Sequence, residues 1–259
     1  MRLGVSYNYF NGDEHLVASL RSIRPSVDFI NVVTQHTSNS GEKITPNALR
    51  ALRVAQDDGL IDDIIVFEPD LTIPRQKNEL QKRRLGLKAA RNARCSHFFT
   101  MDSDEFYRKN ELDSAKAEIL KHGYTSSSVT SYFHIRRPIY RAPDTTNVAF
   151  ISRLRPWTRL LKHNYPCENV DQTRQIWVLP RRHFHFPRRQ VAMYHMNFVR
   201  RDLSQKMRNS STVDKVFLDA VEQEISNWKP GSPFIFPRKG EFRPVIVENE
   251  FSTYDPDLS

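Results

Sequence analysis

Residues 98–107, FFTMDSDEFY, set three carboxylates, Asp102, Asp104 and Glu105, within four positions directly behind an apolar run. Like charges so close repel one another, and a solvated turn gains nothing from three of them. A buried strand that ends in concentrated negative charge calls for a positive partner, and a bound cation is the first candidate.

Upstream of that stretch the chain alternates between strand and helix periods. Residues 2–7 read as a strand, and 13–23 place Leu16, Val17, Leu20 and Ile23 at helical spacing before Pro25. VDFINVVT (27–34) is a second strand, and Pro46 opens a helix through Ala55. A third strand spans 64–67, a long basic helix 76–93, and a fourth strand 97–101 leads into the acids. This alternation predicts an α/β fold with a mainly parallel, Rossmann-type sheet flanked by helices. In such sheets ligands bind beyond the carboxyl ends of the strands, which is where the acidic cluster falls.

Beyond Tyr107 the pattern changes. A helix is expected at 112–122, a strand at 126–135, and short strands at 147–153, 174–179 and 191–196. Two helices follow at 202–209 and 214–228, the second with Val216, Phe217, Ala220, Val221, Ile225 and Trp228 on one stripe. Residues 229–259 hold Pro230, Pro233, Pro237, Pro244 and Pro256 and read as an extended tail over the body.

The 259 residues suffice for a large buried core, and 39% hydrophobic content is globular. No apolar run approaches the length of a membrane span. Cys95 and Cys167 stand far apart and signal neither a disulfide framework nor a zinc motif, so a reduced, cytoplasmic setting is expected. The net charge of +9 is uneven: residues 131–210 hold sixteen Lys and Arg against four Asp and Glu. Such a field favours anionic partners such as phosphates, acidic glycans or a phospholipid surface.

Asp102 and Asp104, two apart in an extended backbone, point to the same side and can address one ion. Oxygen donors suit Mg²⁺ or Mn²⁺, which keep positions open for phosphates. The competing reading makes either aspartate a helix cap, with Glu105 favourable to the helix dipole. His183 and His185 alternate in RRHFHFP and are rival ligands, although the flanking arginines would repel a cation.

The opening VSYNYFNGDEHLVASLRSI (5–23) and the lead-in KRRLGLKAARNARCSHFFTMDSDEFY (82–107) resemble family-2-like glycosyltransferases of the GT-A fold. The resemblance covers roughly residues 1–107 and implies a nucleotide-sugar-binding half there. It further implies a variable acceptor half at 108–228 and leaves 229–259 as a tail. It places Ser6, Tyr7 and Asn8 at the nucleotide, with a core role for Tyr7 as the alternative, and sets Lys82, Arg83 and Arg84 of the long helix on the nucleotide side, with Arg84 the closest match to the family's basic residue. Asp102 and Asp104 would then hold Mn²⁺ or Mg²⁺ against the diphosphate, with Asp102 touching both. His195 would complete the metal shell, and Arg200 and Lys206 would hold the diphosphate as a lid closes. Glu168 or Asp171 would be the base that takes the acceptor proton, unless they pair with Arg174 or cap a turn. Asp144 and Asp202 are the other acids of the basic half. The chain departs from the family at Thr34-Gln35, where many members have an acidic residue.

The expected function is transfer of a sugar from a nucleotide-diphospho-sugar, a UDP-sugar foremost, to a glycan or glycolipid hydroxyl. Bacterial surface-polysaccharide or lipopolysaccharide-type synthesis is the setting the resemblance implies, with peripheral membrane association through the basic segment. The alternatives are a metal-dependent nuclease or nucleotidyltransferase and an inactive GT-A binding module. No helix-turn-helix, RRM or zinc-finger signature supports nucleic-acid binding.

Overall fold

The computed structural model describes residues 1–161, 165–176, 182–210, 212 and 214–258. Its first sheet contains β1 (Leu3–Asn8), β2 (Phe29–Thr34), β3 (Asp63–Val66) and β4 (His97–Asp102), all parallel, in the order β3-β2-β1-β4. Helices α1 (Asp13–Ile23), α2 (Pro46–Asp57) and α3 (Arg75–Asn92) make the crossovers. The two faces of β1 explain the layering. Leu3, Val5 and Tyr7 point to a core shared with Leu16 and Leu20 of α1 and Leu52 of α2. Gly4 and Ser6 point the other way, toward α3. The expected class is what forms: mixed α/β, a parallel-rich sheet flanked by helices.

Small residues on the α3 face permit a close approach. A Cβ on Gly86 would meet Ser6 Oγ at 1.8 Å and Ser6 Cβ at 2.5 Å. Asn31 holds the seam, accepting from Ser6 Oγ at 2.8 Å and donating to the Gly86 carbonyl at 3.2 Å. Gly86→Ala is therefore expected to push α3 off β1 and cost about 2–3 kcal/mol, the cost of overpacking a tight contact. A lowered urea midpoint with unchanged m-value would record it.

The acidic turn carries the chain from one sheet to the next. After Asp102 the chain reverses, and β5 (Glu105–Phe106) pairs antiparallel with β10 (Ala192–Phe198). Between them lie α4 (Lys109–His122), β6 (Ser126–Ile135), β7 (Tyr140–Ala149), β8 (Ser152–Arg153) and β9 (His183–His185). β8 returns to the first sheet, antiparallel to β4. The second sheet takes the order β13-β7-β6-β10-β5, with β9 on β6. Then follow α5 (Leu203–Arg208), α6 (Lys215–Asn227), the hairpin β11 (Phe234–Phe236) and β12 (Gly240–Phe242), and β13 (Val245–Ile246). Among the described residues no helix is long and apolar enough to cross a membrane.

The later half differs from the sequence reading in specific places. The strand expected at 147–153 is a ten-residue β7 ending at Ala149, then a separate two-residue β8. Pro143 speaks against a strand, but the ladder accommodates it beside an irregularity between Thr130 and Tyr132. Of the strand expected at 174–179, Arg174 ends a 3₁₀ turn (Gln172–Arg174), and 177–179 lie outside the described residues. On α6, Val221, Ile225 and the following Trp228 are buried, but Val216 is 77% exposed. The proline-rich end is not only a cover. Phe234 and Phe236 are buried against Phe133 and Phe198.

Candidate active site

A cavity of about 340 Å³ opens at the carboxyl edge of β1, β2 and β4. Asn8 and Asp102 end β1 and β4 there, Gln35 directly follows β2, α1 presents its N-terminus, and the loop into α5 closes the other side. Gly12 caps α1 at φ 117°, a left-handed conformation. Its missing Cβ would lie 2.5 Å from Ser103 Oγ and 2.8 Å from an Arg200 guanidinium nitrogen. Glycine lets the acidic turn and Arg200 meet over the helix end.

The three carboxylates answer to buried cations. Asp102 accepts from Arg83 at 3.0 Å and from Arg174. Glu105 accepts from Arg174 at 2.8 Å and from the Asp102 amide at 3.0 Å. Arg83 is fully buried and also grips Glu79 at 2.7 Å, Thr100 at 2.8 Å and Thr173 at 3.1 Å. On the cavity side, Asp104 Oδ2 accepts from Arg200 and Lys206, and His195 Nε2 lies 3.4 Å away. Burial opposes the charge on Asp104, but Lys206, Arg200 and His195 outweigh it and hold the carboxyl well below its usual range. Asp102 is likewise depressed: burial is overcome by Arg174 and Arg83.

The sequence-derived candidates divide sharply. Asn8, Asp102, Asp104, Arg200 and Lys206 line the cavity together. His195 sits on β10 opposite Glu105, which brings it to Asp104. Ser6 is instead bonded to Asn31 beneath α3. Tyr7 is a core residue whose hydroxyl meets Ser19 at 2.9 Å, so its aromatic ring packs and does not face the nucleotide side. Arg84 points outward to the Leu160 carbonyl, because the next helical step from Arg83 turns it away from the sheet.

Neither candidate base lines the cavity. Asp171 caps the 3₁₀ turn through the Thr173 amide at 2.8 Å, with its other oxygen 3.4 Å from Arg174 and 3.8 Å from Arg83. It thus shares both arginines with Asp102. Glu168 is exposed, and its carbonyl accepts from Asn147. Asp144 is bound by Lys239, and Asp202 caps α5 at the cavity wall. His183 and His185 are bonded to Ser126, Ser128 and Thr130 on β6.

Of the three basic residues expected on the nucleotide side of the long helix, Lys82 is the one that lines the cavity, and the amides of Asn11, Gln35 and Asn209 join it without having been candidates. Lys82 is buried, donates to the Tyr9 carbonyl and lines the wall beside Asp102. Burial pulls its pKa down to about 7, with Asp102 opposing and Arg83 assisting. Both amide atoms of Asn11, Gln35 Oε1, Asn209 Oδ1 and Arg200 Nε are buried without a partner, and all five belong to lining residues. Unpaired buried polar atoms cost free energy, so their convergence marks the place of a polar ligand.

Two carboxylates and an imidazole are a donor set suited to a hard divalent cation. Among the described residues no three His, Cys, Asp or Glu side chains are grouped to hold a metal ion. Lys206 and Arg200 are the groups that now neutralise Asp104.

No family model matches the chain, and no curated protein matches it. Among solved structures, S. aureus TarS 1-349 is similar with a TM-score of 0.40 and 16% identity, over 59% of this chain and 47% of that one. The same TarS fragment in complex with UDP-GlcNAc gives 0.38 and 17%, over 56% and 40%. Mannose-1-phosphate geranyltransferase from Thermus thermophilus gives 0.32 and 12%, over 60% and 51%. The matched part is about half or less of each of those chains.

Proposed function

We propose that this chain is a glycosyltransferase that binds a nucleotide-diphospho-sugar, a UDP-sugar foremost, in the cavity at the carboxyl edge of the first sheet. The observation that supports it best is the joint presence there of Lys82, Arg200 and Lys206 with the unpaired amide group of Asn11 and the unpaired amide oxygens of Gln35 and Asn209. The cations suit a diphosphate, and the amides suit a ribose and base, with Gln35 Oε1 free to accept from a base N–H. Arg200 and Lys206 stabilise the charge that develops on the departing diphosphate. In this reading Asp102 and Asp104, with His195, would hold Mn²⁺ or Mg²⁺, drawn together from their present ungrouped arrangement, and the ion would supply Lewis-acid neutralisation of the leaving group. The acceptor is a glycan or glycolipid hydroxyl.

Neither candidate base lines the cavity; of the two we assign Asp171 over Glu168, because Asp171 shares Arg83 and Arg174 with Asp102, which does line it. Asp171→Asn is expected to lower the transfer rate by about 10²–10⁴, the usual share of general-base catalysis. Donor affinity and melting temperature should change little, and Glu168→Gln should leave the rate near wild type.

The reading is tested by calorimetric titration of UDP, with Mn²⁺ and with a chelator. Micromolar binding that strengthens with Mn²⁺ supports the whole reading; equal binding in chelator removes the metal and keeps the donor. Undetectable binding in both, with tight binding to an oligonucleotide, overturns the proposal.

Lys82 adds a pH signature. Its folded pKa of about 7 lies below its ordinary 10.5. Between those values the unfolded chain holds a proton that the folded chain lacks, so Lys82 makes stability rise with pH across that window. A bound diphosphate favours the ammonium and so offsets the trend in the complex. UDP affinity should therefore fall as pH rises from 7 to 9, with proton uptake seen as buffer-dependent binding heat. Lys82→Met should abolish the uptake.

A further inference from the structure

Outside the cavity lining, along the outer side of α3 and on to the amino edge of the first sheet, a second surface gathers positive charge. Arg84, Lys88 and Arg94 are exposed on α3 and just past its end; Arg153 is exposed at the end of β8, and Arg155 and Arg159 on the loop that follows it. The loop lies along the helix. Arg84 donates to the Leu160 carbonyl at 3.1 Å, and Arg91 donates to the carbonyls of Arg155, at 3.0 Å, and Thr158. The Leu154 amide bonds the Ser96 carbonyl at 2.8 Å, which fixes the loop to the start of β4. Burial and the Arg159 charge both lower the pKa of Arg91, as expected for crowded cations.

None of these seven side chains has an ion-pair partner among the described residues. Asp62 and Asp63 lie across a groove from Lys88, and Asp62 is already held by Arg24. At the tip of the loop Trp157 is 57% exposed beside exposed Pro156, with the Arg155 guanidinium 5.5 Å over its ring. An uncompensated basic face strains the folded chain unless a counter-charge arrives.

We propose that this face docks on an anionic lipid surface, with the basic side chains at headgroup phosphates and Trp157 in the interfacial layer. Tryptophan is the side chain that settles at a bilayer interface, and clustered Lys and Arg read anionic leaflets. A nucleic acid fits less well: strand binding uses a series of stacking rings, and this patch has one exposed ring flanked by proline. The inference stands apart from the reading of the cavity, since no residue of this face lines it.

The test is co-sedimentation with vesicles of phosphatidylcholine alone and of equimolar phosphatidylcholine and phosphatidylglycerol. The protein is expected to bind the mixed vesicles only, less as salt rises. The quadruple variant Arg94→Glu, Arg153→Glu, Arg155→Glu, Arg159→Glu should lose more than a hundredfold in partition, from about fivefold per basic side chain at an anionic surface. Trp157→Ala should weaken binding without changing the melting temperature, and it serves alone where the quadruple variant fails to fold. Reversing four exposed cations elsewhere, Arg50, Arg53, Lys121 and Lys215, should leave binding intact. Absence of preference for anionic vesicles, or equal loss in the distant quadruple variant, overturns the proposal. So does tighter binding to a single-stranded oligonucleotide than to vesicles.

Discussion

Asp104→Asn should stop turnover, lowering the rate by about three orders of magnitude, the scale on which preorganised charge acts in a closed site. The reason is that one buried carboxylate oxygen is where Arg200, Lys206 and His195 converge. An amide keeps the volume but removes the charge that orders all three. Two cations then remain with a neutral neighbour, Arg200 only 5% exposed, and removing one partner of a buried pair costs about 3–5 kcal/mol. The variant should therefore melt earlier and lose its donor affinity together. Full activity in Asp104→Asn would refute the role given to this oxygen. A matching pH effect follows in the wild type. The depressed carboxyls of Asp104 and Asp102 stabilise the fold above their ordinary value near 3.8, and that contribution is lost as pH falls below it.

The second large effect belongs to Arg83→Met. This guanidinium is fully buried and joins Glu79, Thr100, Asp102 and Thr173, so it ties α3 to β4 and to the 3₁₀ turn. Its loss leaves Glu79 without its ion pair, in a setting where burial already raises the carboxyl's pKa. The expected cost is again about 3–5 kcal/mol. For a chain of this size each kcal/mol moves the melting temperature by about 2–4 °C, so a drop of about 6–20 °C should appear in calorimetry. Pairing it with Glu79→Met should recover part of the loss, since apolar replacement of both partners removes the unpaired charge. No recovery would mean that Arg83 acts mainly through Asp102.

What the sequence made legible was local. The apolar run before Asp102, and the alternation of strand and helix periods ahead of it, announced a mainly parallel sheet flanked by helices. The acids at a strand end located the cavity, because a parallel sheet places its crevice there. The choice among Lys82, Arg83 and Arg84 was not legible. Successive helical residues step by about 100°, so the three neighbours face the cavity, the sheet and the solvent in turn, and no periodic signal ranks them. Arg174 was equally hidden. Its partners Asp102 and Glu105 lie about seventy residues away, a pairing that only the folded chain creates. The two-residue β5 was too short to read, yet it sets His195 opposite the acidic turn.

One further link joins the last segment to the first helix. Thr253 Oγ1 meets His15 Nδ1 at 2.7 Å, and His15 Nε2 donates to the Val199 carbonyl at 2.5 Å, one residue before Arg200. Burial lowers the His15 pKa to about 4, so the imidazole is neutral and bridges the two as donor and acceptor. Asp255 then anchors the same segment to Arg137 at 2.8 Å. Because a polypeptide leaves the ribosome from its amino end, Arg200 acquires this support only after residue 255 has emerged. During synthesis the acidic turn exists long before the brace that steadies its arginine.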